Sequence, residues 1–286
     1  MDASPAATPS PMAQPWDGFV TGPESALAMA GVLALARGDA LGVSPLVLHG
    51  ASGVGKTRLL QGLVGEWLIR RPASAVAHLE AEAFAAACAE ATTHRDGWAE
   101  LRARFRALDL FVLDDLHDLE RAPLALTELV HTLDALAETG AGVVVTARTG
   151  PGQWLGWPPR LVNRLIGGLS VRIEPPGLAA RRRFLLDRAR EKGLRLPAAA
   201  VDAMAEAADG FRTLDGWLAR LALTVRVDRR GIDLDHVTSV LEGDPATDGT
   251  TSTITLGRIV RDVARRFGVS PRDLRAATRR KAVAEP

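Results

Sequence analysis

The chain has 286 residues, of which 47% are hydrophobic, so it can bury the core of one large or two modest domains. Its single cysteine, Cys88, excludes an intrachain disulfide and a cysteine zinc cluster, and the six histidines do not fall into metal-ligand spacing. No apolar run approaches the ~18 residues that a membrane span needs. Residues 1–15 lack the pattern of a signal peptide, so we expect a disordered leader on a soluble, cytoplasmic protein.

Charge is distributed unevenly, although the formal net charge is only +1. The segment from Thr251 to Pro286 carries nine Lys and Arg against three Asp and Glu, whereas the rest carries 26 against 31. A basic tail on an acidic body indicates a polyanionic partner for the tail. The alternative is an ordinary solvated helix face.

Short apolar runs that are typical of buried strands alternate with helical patterns in the first 175 residues. Strands separated by helices predict an α/β fold with a parallel sheet covered on both faces. The predicted strands are Leu46–His49, Ala75–Leu79, Leu110–Leu113, Gly142–Thr146 and Leu169–Ile173, and the predicted helices are Lys56–Arg70, Ala81–Ala91, Leu124–Glu138 and Pro159–Ile166.

After Pro175 the apolar residues recur only at helical spacing, which predicts a small helical domain over residues 175–242. Its predicted helices are Ala179–Lys192, Ala198–Ala208, Thr213–Val227 and Leu234–Leu241. Residues 243–252 read as a linker by composition. Residues 253–286 read as an amphipathic helix, a turn at Gly268, a short second helix and a basic run. The first domain is accordingly expected to span residues 16–174.

The segment LVLHGASGVGKTRLL combines a strand, a glycine-rich loop and a helix start. Gly50, Gly55, Lys56 and Thr57 fit the G-x-x-x-x-G-K-[ST] pattern, in which inward-pointing backbone N–H groups and the lysine bind phosphates and the threonine holds Mg²⁺. The alternative, a glycine turn that happens to contain GKT, is disfavoured by the flanking strand and helix. The residues predicted to bind nucleotide here are Gly50, Ser52, Gly53, Val54, Gly55, Lys56 and Thr57.

The segment LFVLDDL describes a buried strand that delivers two carboxylates to its C-terminal end, where α/β sheets bind ligands. Asp114 is expected to organise Mg²⁺ and Asp115 to orient or deprotonate the attacking water. By itself, a pair of aspartates after an apolar run is often only a helix cap. Behind a matched phosphate loop, it indicates a nucleotide site.

Polar residues elsewhere are candidates to complete this site. Thr146 and Arg148 end the fourth predicted strand, where they can meet the γ-phosphate. Arg160 and Arg164 share one helix face at i, i+4 spacing, and Arg212 begins a helix of the second domain. Arginine binds phosphate bidentately and keeps its charge. The alternative for each is a solvated surface arginine.

Taken in order, these segments resemble the DnaA-type bacterial replication initiators, a branch of the AAA+ ATPases. WDGFVTGPESALAMAGVLALA is similar to the family's entry segment, which lines the adenine pocket. LEAEAFAAACAEA is similar to the extra helical element that distinguishes initiators and helicase loaders from other AAA+ proteins. RLVNRLIGGLSVRIEPPGLAARRRFL resembles the arginine-finger box, GFRTLDGWLARL the second sensor, and the tail the first helices and basic loop of the origin-DNA-binding domain.

The resemblance implies a five-stranded AAA+ sheet with a helical lid, and an ATP-driven switch that assembles head to tail and acts on origin DNA. It makes Arg164 the finger that reaches a neighbouring subunit's nucleotide and Arg212 the sensor of phosphate in its own subunit. Arg106 corresponds to a basic residue that faces single-stranded DNA. The tail is expected to contact DNA phosphates weakly through Arg272, Arg275, Arg279, Arg280 and Lys281.

Two departures from the family pattern leave alternatives open. Arg148 stands where the family usually has an acidic residue, which puts hydrolysis in more doubt than binding of ATP and Mg²⁺, although Thr146 can partly substitute. The family's amino-terminal domain and complete helix-turn-helix are expected to be lacking. A slow ATPase that initiates replication is therefore weighed against a regulator that contacts the initiator or the sliding clamp, a helicase loader, and a nucleotide-binding scaffold without hydrolysis.

Overall fold

The computed structural model describes residues 15–38, 42–228, 232 and 234–242. The chain divides into two compact units, Met1–Val237 and Thr238–Pro286. The predicted linker and basic tail lie outside the described residues, as does most of the predicted leader. None of the helices in the described part of the chain is both long enough and apolar enough to cross a membrane.

Five parallel strands form a single sheet, which confirms the predicted α/β fold. Every strand end lies within one residue of its predicted position. The strands are β1 Leu46–His49, β2 Val76–Glu80, β3 Leu110–Asp114, β4 Gly142–Ala147 and β5 Leu169–Arg172, and their order across the sheet is β2-β3-β4-β1-β5.

Helices precede, separate and follow these strands. The helices of the described residues are α1 Ala26–Arg37, α2 Lys56–Arg70, α3 Ala81–Ala91, α4 Gly97–Arg106, α5 Pro123–Thr139, α6 Pro159–Ile166, α7 Leu178–Glu191, α8 Ala198–Ala207, α9 Phe211–Asp228 and α10 Leu234–Glu242, with 3₁₀ turns at Leu116–Arg121 and Pro151–Gln153. The sequence did not predict α1, α4 or the two 3₁₀ turns. In α4 the apolar signal is short, since Gly97, Leu101 and Phe105 are its buried residues.

Two hydrophobic clusters cover the two faces of the sheet. Alternate residues of a strand point to opposite faces, so Leu110 and Val112 enter the cluster beneath α1 and α2, whereas Phe111 and Leu113 enter the cluster beneath α3, α4, α5 and α6. In the second cluster the Phe111 ring meets Phe84 and Phe105 edge to face, with centroids 6.2 and 6.0 Å away. Helices on both faces explain why the strands read as continuous apolar runs.

The strand order brings three loops to one edge of the sheet. β4 lies between β1 and β3, and Leu48 of β1 is in register with Thr146 of β4. The carboxyl ends of parallel strands meet at the same edge, so the glycine loop after β1 and the two aspartates at the end of β3 face each other across the end of β4. This edge holds the candidate site.

Candidate functional site

The loop between β1 and α2 is shaped by its glycines. A Cβ atom added to Gly50 would lie 2.3 Å from the carbonyl oxygen of Ile173, so a side chain there is excluded. Gly53 and Gly55 have φ angles of +80° and +102°, which side-chain-bearing residues rarely adopt. The chain then enters α2 at Lys56. The first N–H groups of a helix have no partner within it and, with the helix dipole, favour an anion at this end.

Lys56 folds its side chain back over this loop. Its Nζ donates hydrogen bonds to the carbonyl oxygens of Gly50 and Ala51, at 2.8 and 2.9 Å, and the residue is buried. Burial lowers the pKa of Lys56 below its ordinary value, while the carboxylates of Asp115 and Asp114 act in the opposite direction. An anion placed here would compensate the charge that burial disfavours.

Asp114 connects the glycine loop to the two neighbouring strands. It is 4% exposed, and its Oδ2 accepts a hydrogen bond of 2.6 Å from Thr57 Oγ1. Its Oδ1 accepts one from the hydroxyl of Thr146 and one of 3.1 Å from the backbone N–H of Asp115. A buried carboxylate that accepts three hydrogen bonds is held in one orientation, with its charge compensated by donors.

Thr146 of β4 lies next to the two aspartates. It is fully buried, its hydroxyl donates to Asp114, and the same oxygen accepts a 2.8 Å hydrogen bond from the N–H of Asp115. Asp115 has a φ of +54°, the single positive value among the described residues other than glycine. Thr146 therefore stabilises a strained turn that presents the Asp115 side chain, which is 44% exposed.

The helical segment after β5 reaches the same loop. Arg212 Nη1 donates to Ser52 Oγ at 2.9 Å, and the N–H of Phe211 donates to the carbonyl oxygen of Gly53 at 3.1 Å. These contacts join the start of α9 to the loop after β1 within one compact unit. They bring Arg212 to the residues predicted to bind phosphate.

Two aromatic rings flank the loop, and sequence reasoning did not single them out as site residues. A Cβ atom at Gly55 would lie 3.8 Å from the Phe19 ring and 4.0 Å from the Phe211 ring. Phe19 in turn contacts Trp16 edge to face, at 6.1 Å between centroids. The Trp16 ring packs against α2 at Gly62, where an added Cβ atom would lie 2.2 Å from the ring. The entry segment and α9 thus give the loop an apolar wall. The available signal was that Phe19 lies within WDGFVTGPESALAMAGVLALA and Phe211 within GFRTLDGWLARL.

Arg148 lines an open cleft of about 690 Å³ beside the first residue of the loop, Gly50. His49 and Arg172 also line this cleft, and Arg172 Nε forms an ion pair of 2.9 Å with Glu174. Burial, followed by the charge of Arg172, lowers the pKa of His49. Besides burial, the charge of Arg148 contributes to lowering the pKa of Lys56, so Arg148 acts electrostatically on the glycine loop.

The remaining predicted arginines lie away from this network. Arg164 on α6 donates from Nε to Asp134 of α5 at 2.5 Å, and Arg160 contacts the same carboxylate. Arg106 on α4 pairs at 2.6 Å with Glu128, which is buried. The tail residues Arg272, Arg275, Arg279, Arg280 and Lys281 lie outside the described residues.

A family model for the bacterial DnaA ATPase domain matches residues 13–172, more than half of the chain. The chain belongs to this family. The chromosomal replication initiator protein DnaA of Thermus thermophilus is 29% identical over 297 aligned positions, which cover 99% of this chain and 65% of that relative. The chain thus spans less than two thirds of the length of the initiator that it resembles.

Solved structures of the family share the fold. Domain III of the Thermotoga maritima replication initiation protein DnaA superposes with a TM-score of 0.75 at 25% identity, covering 79% of this chain and 95% of that one. A replication initiator DnaA bound to AMPPCP and single-stranded DNA gives a TM-score of 0.69 at 23% identity, covering 94% of this chain and 78% of that one. The resemblance stated from the motifs is confirmed at the level of the family and of the fold.

Proposed function

We propose that this protein is an ATP-binding switch of DNA replication initiation, which assembles in response to ATP and acts on origin DNA. The observation that carries the proposal is the network in which Asp114 joins Thr57 of the glycine loop to Thr146 and Asp115. Membership of the DnaA ATPase family supports it. A DnaA with the same fold binds AMPPCP and single-stranded DNA, by its description.

The loop residues would bind the phosphates of ATP. Backbone N–H groups from Ser52 to Gly55 and the start of α2 surround the anion, and Lys56 exchanges its loop carbonyls for phosphate oxygens. Arg212 approaches from the helical segment through its contact with Ser52. Phe19 and Phe211 provide the apolar wall against which the purine would pack.

Magnesium fits the oxygen atoms that surround Asp114. Mg²⁺ takes oxygen ligands in an octahedron and keeps several waters, together with substrate phosphates. Over the described parts of the chain no group of three His, Cys, Asp or Glu gathers to hold a metal by itself. Thr57 and Asp114 would therefore hold the ion together with water and phosphate oxygens, and the bound ion supplies positive charge against the triphosphate.

Hydrolysis would use residues from two copies of the chain. Asp115 is presented at the end of β3, where it can orient the attacking water, and Arg212 contributes charge from the same subunit. Arg164 of a neighbouring copy supplies the finger, so that ATP favours head-to-tail assembly, a heterologous contact that builds open helices or rings. In this scheme residues 16–174 form the ATPase base, residues 175–242 the lid, and residues 253–286 a basic extension after the 243–252 linker, which adds weak phosphate contacts with DNA.

Titration calorimetry with Mg·ATP tests the nucleotide site. We expect Lys56→Ala to weaken ATP binding by about 100-fold or more, because it removes a charge-assisted contact from a buried phosphate site. Lys192→Ala is the matched control, since Lys192 follows α7 and its Nζ lies 3.7 Å from the carboxylate of Asp215 on α9. Equal ATP affinity in wild type and Lys56→Ala, with Lys192→Ala unchanged as well, would refute the nucleotide site.

A second candidate is a nucleotide-dependent scaffold that binds ATP without hydrolysing it. Arg148 favours this function, because it stands where the family usually carries an acidic residue. Its positive charge acts on Lys56. ATP turnover with and without DNA separates the two functions. If wild type turns over no ATP and Arg148→Asp restores turnover, the scaffold is correct. Co-purification with purified initiator, sliding clamp or replicative helicase distinguishes an initiator from a regulator or a loader.

A further inference from the structure

Asp134 of α5 contacts both arginines of the predicted finger helix. Its Oδ1 accepts a 2.5 Å hydrogen bond from Arg164 Nε, and its Oδ2 accepts one of the same length from Arg160 Nη2. The Asp134 side chain is only 16% exposed, whereas those of Arg160 and Arg164 are 62% and 51% exposed. A largely shielded carboxylate therefore binds two solvent-facing arginines.

Packing between the two helices determines this arrangement. α6 buries Leu161 and Leu165 in the cluster that also contains Leu133 of α5. Arg160 and Arg164, at i, i+4 spacing, fall on one face of α6. The carboxylate next to Leu133 then meets that face, so the contact depends on the core beneath both helices rather than on chance encounters of flexible side chains.

The atoms involved leave the end of Arg164 available. Asp134 uses the Nε of Arg164, and within the described residues Nη1 and Nη2 of Arg164 make no hydrogen bond. A guanidinium binds phosphate through a planar fork of N–H groups. Held by Nε, the side chain still presents the two terminal nitrogens to an anion outside the molecule.

Holding an arginine in advance lowers the cost of using it. A free arginine loses rotamer entropy when it binds, and a side chain already ordered in the binding geometry loses less. Since two arginines share one aspartate, the group keeps a net positive charge and remains attractive to phosphate. The contact therefore orders Arg164 without neutralising it.

We propose that Asp134 is a positioning residue for Arg164, which it holds by Nε so that the terminal fork can engage the phosphates of ATP bound to a second copy of this chain. The inference rests on the proposed function, which makes Arg164 the finger. It adds a residue of α5 to the machinery of assembly. Nothing in the α5 sequence PLALTELVHTLDALAET identifies Asp134 as such a residue.

Light scattering of the full chain with Mg·ATP tests this role. We expect Asp134→Ala to raise the protein concentration for half-maximal assembly about tenfold, because Arg164 is no longer ordered. Asp134→Asn, which keeps one oxygen acceptor, should recover part of the loss. Asp187→Ala is the matched control, since Asp187 of α7 also pairs with two arginines, Arg183 at 2.6 Å and Arg190 at 3.7 Å. It should assemble as wild type does.

Two further measurements separate the possible failures. ATP affinity by calorimetry should be unchanged in Asp134→Ala, which shows that its own nucleotide site is intact; if that variant does not fold, Asp134→Asn decides. In an Arg164→Ala background, Asp134→Ala should add no further loss. Wild-type assembly by Arg164→Ala would overturn the finger and with it the proposed function. If Arg164→Ala loses assembly while both Asp134 variants assemble normally or better, the positioning role alone is overturned.

Discussion

Two aspartates support the two sites that the proposed assembly needs. Asp114 supports the nucleotide site and Asp134 supports the arginine finger, and they do so by different means. Asp114 ends a buried strand and accepts hydrogen bonds from two hydroxyls and a backbone N–H. Asp134 lies on a helix and holds two long, solvent-facing side chains. The first site is built from short side chains at the end of the sheet and the start of α2, and the second from long side chains on two packed helices.

This difference predicts how each site responds to change. Short side chains on strands lose little entropy on folding, and a buried polar group left without its partner is costly. Exposed arginine–aspartate pairs contribute little to stability because solvent screens them and ordering the arginine opposes the attraction. Changes around Asp114 should therefore reduce the free energy of unfolding, whereas changes around Asp134 should reduce assembly and leave stability nearly intact.

Removing the Thr146 hydroxyl is the strongest test of the buried side of this comparison. Thr146→Val keeps the shape but removes one of the three hydrogen bonds to buried Asp114 and one of the two acceptors of the Asp115 N–H. We expect the free energy of unfolding, measured in urea, to fall by about 1–3 kcal/mol.

Thr132→Val is the control for that measurement. Thr132 is also fully buried, but among the described residues its hydroxyl has no hydrogen-bond partner, so the substitution should leave stability unchanged or slightly raise it. Equal losses in the two variants would show that the Thr146 network contributes nothing beyond packing.

An intermediate case lies on α5 itself, where Glu128 is buried but its two arginine partners are partly exposed. Arg106 contacts Glu128 at 2.6 Å and Arg102 at 3.2 Å. Arg106→Ala leaves one partner, so we expect a loss of about 1 kcal/mol in urea unfolding.

The exposed Arg104, whose guanidinium lies over the Phe105 ring, provides the control, and Arg104→Ala should change stability by no more than a few tenths of a kcal/mol. The same variants test the single-stranded-DNA contact that the family resemblance implies for Arg106. Weaker DNA binding by Arg106→Ala with unchanged stability would favour the DNA contact over the ion pair.

Asp134→Ala should have the smallest effect on stability. Its arginine partners are more than half exposed, so the free energy of unfolding should fall by less than about 1 kcal/mol. A loss as large as that of Thr146→Val would place Asp134 among the residues that hold the fold together, and the contrast between the two aspartates would fail.

Much of the fold and of the candidate site could be predicted from the sequence, because their signals are local. Apolar runs bounded by turn residues marked all five strands to within one residue, since burial on both faces demands continuous apolar character. The glycine loop was readable because its backbone excludes a side chain at Gly50 and needs positive φ at Gly53 and Gly55. The sequence did not predict α1 and α4. In α4 the helical pattern is weak because the helix buries only a few residues.

Contacts between residues distant in the chain were decided only by the tertiary structure. The strand order places Thr146 of β4 next to Asp114 of β3, so its hydroxyl can order both aspartates. Phe19 and Phe211, almost 200 positions apart, meet at Gly55, and Glu128 takes Arg106 as a partner.

The sequence by itself determined that this chain has a glycine-rich loop and an acidic strand on a parallel sheet, because backbone sterics and strand burial act over a few consecutive residues. The tertiary structure decided which side chains complete and support them, including the pairing of Asp134 with Arg164. Such pairings depend on how helices pack over a shared core, and no stretch of neighbouring residues determines which side chains then come into contact.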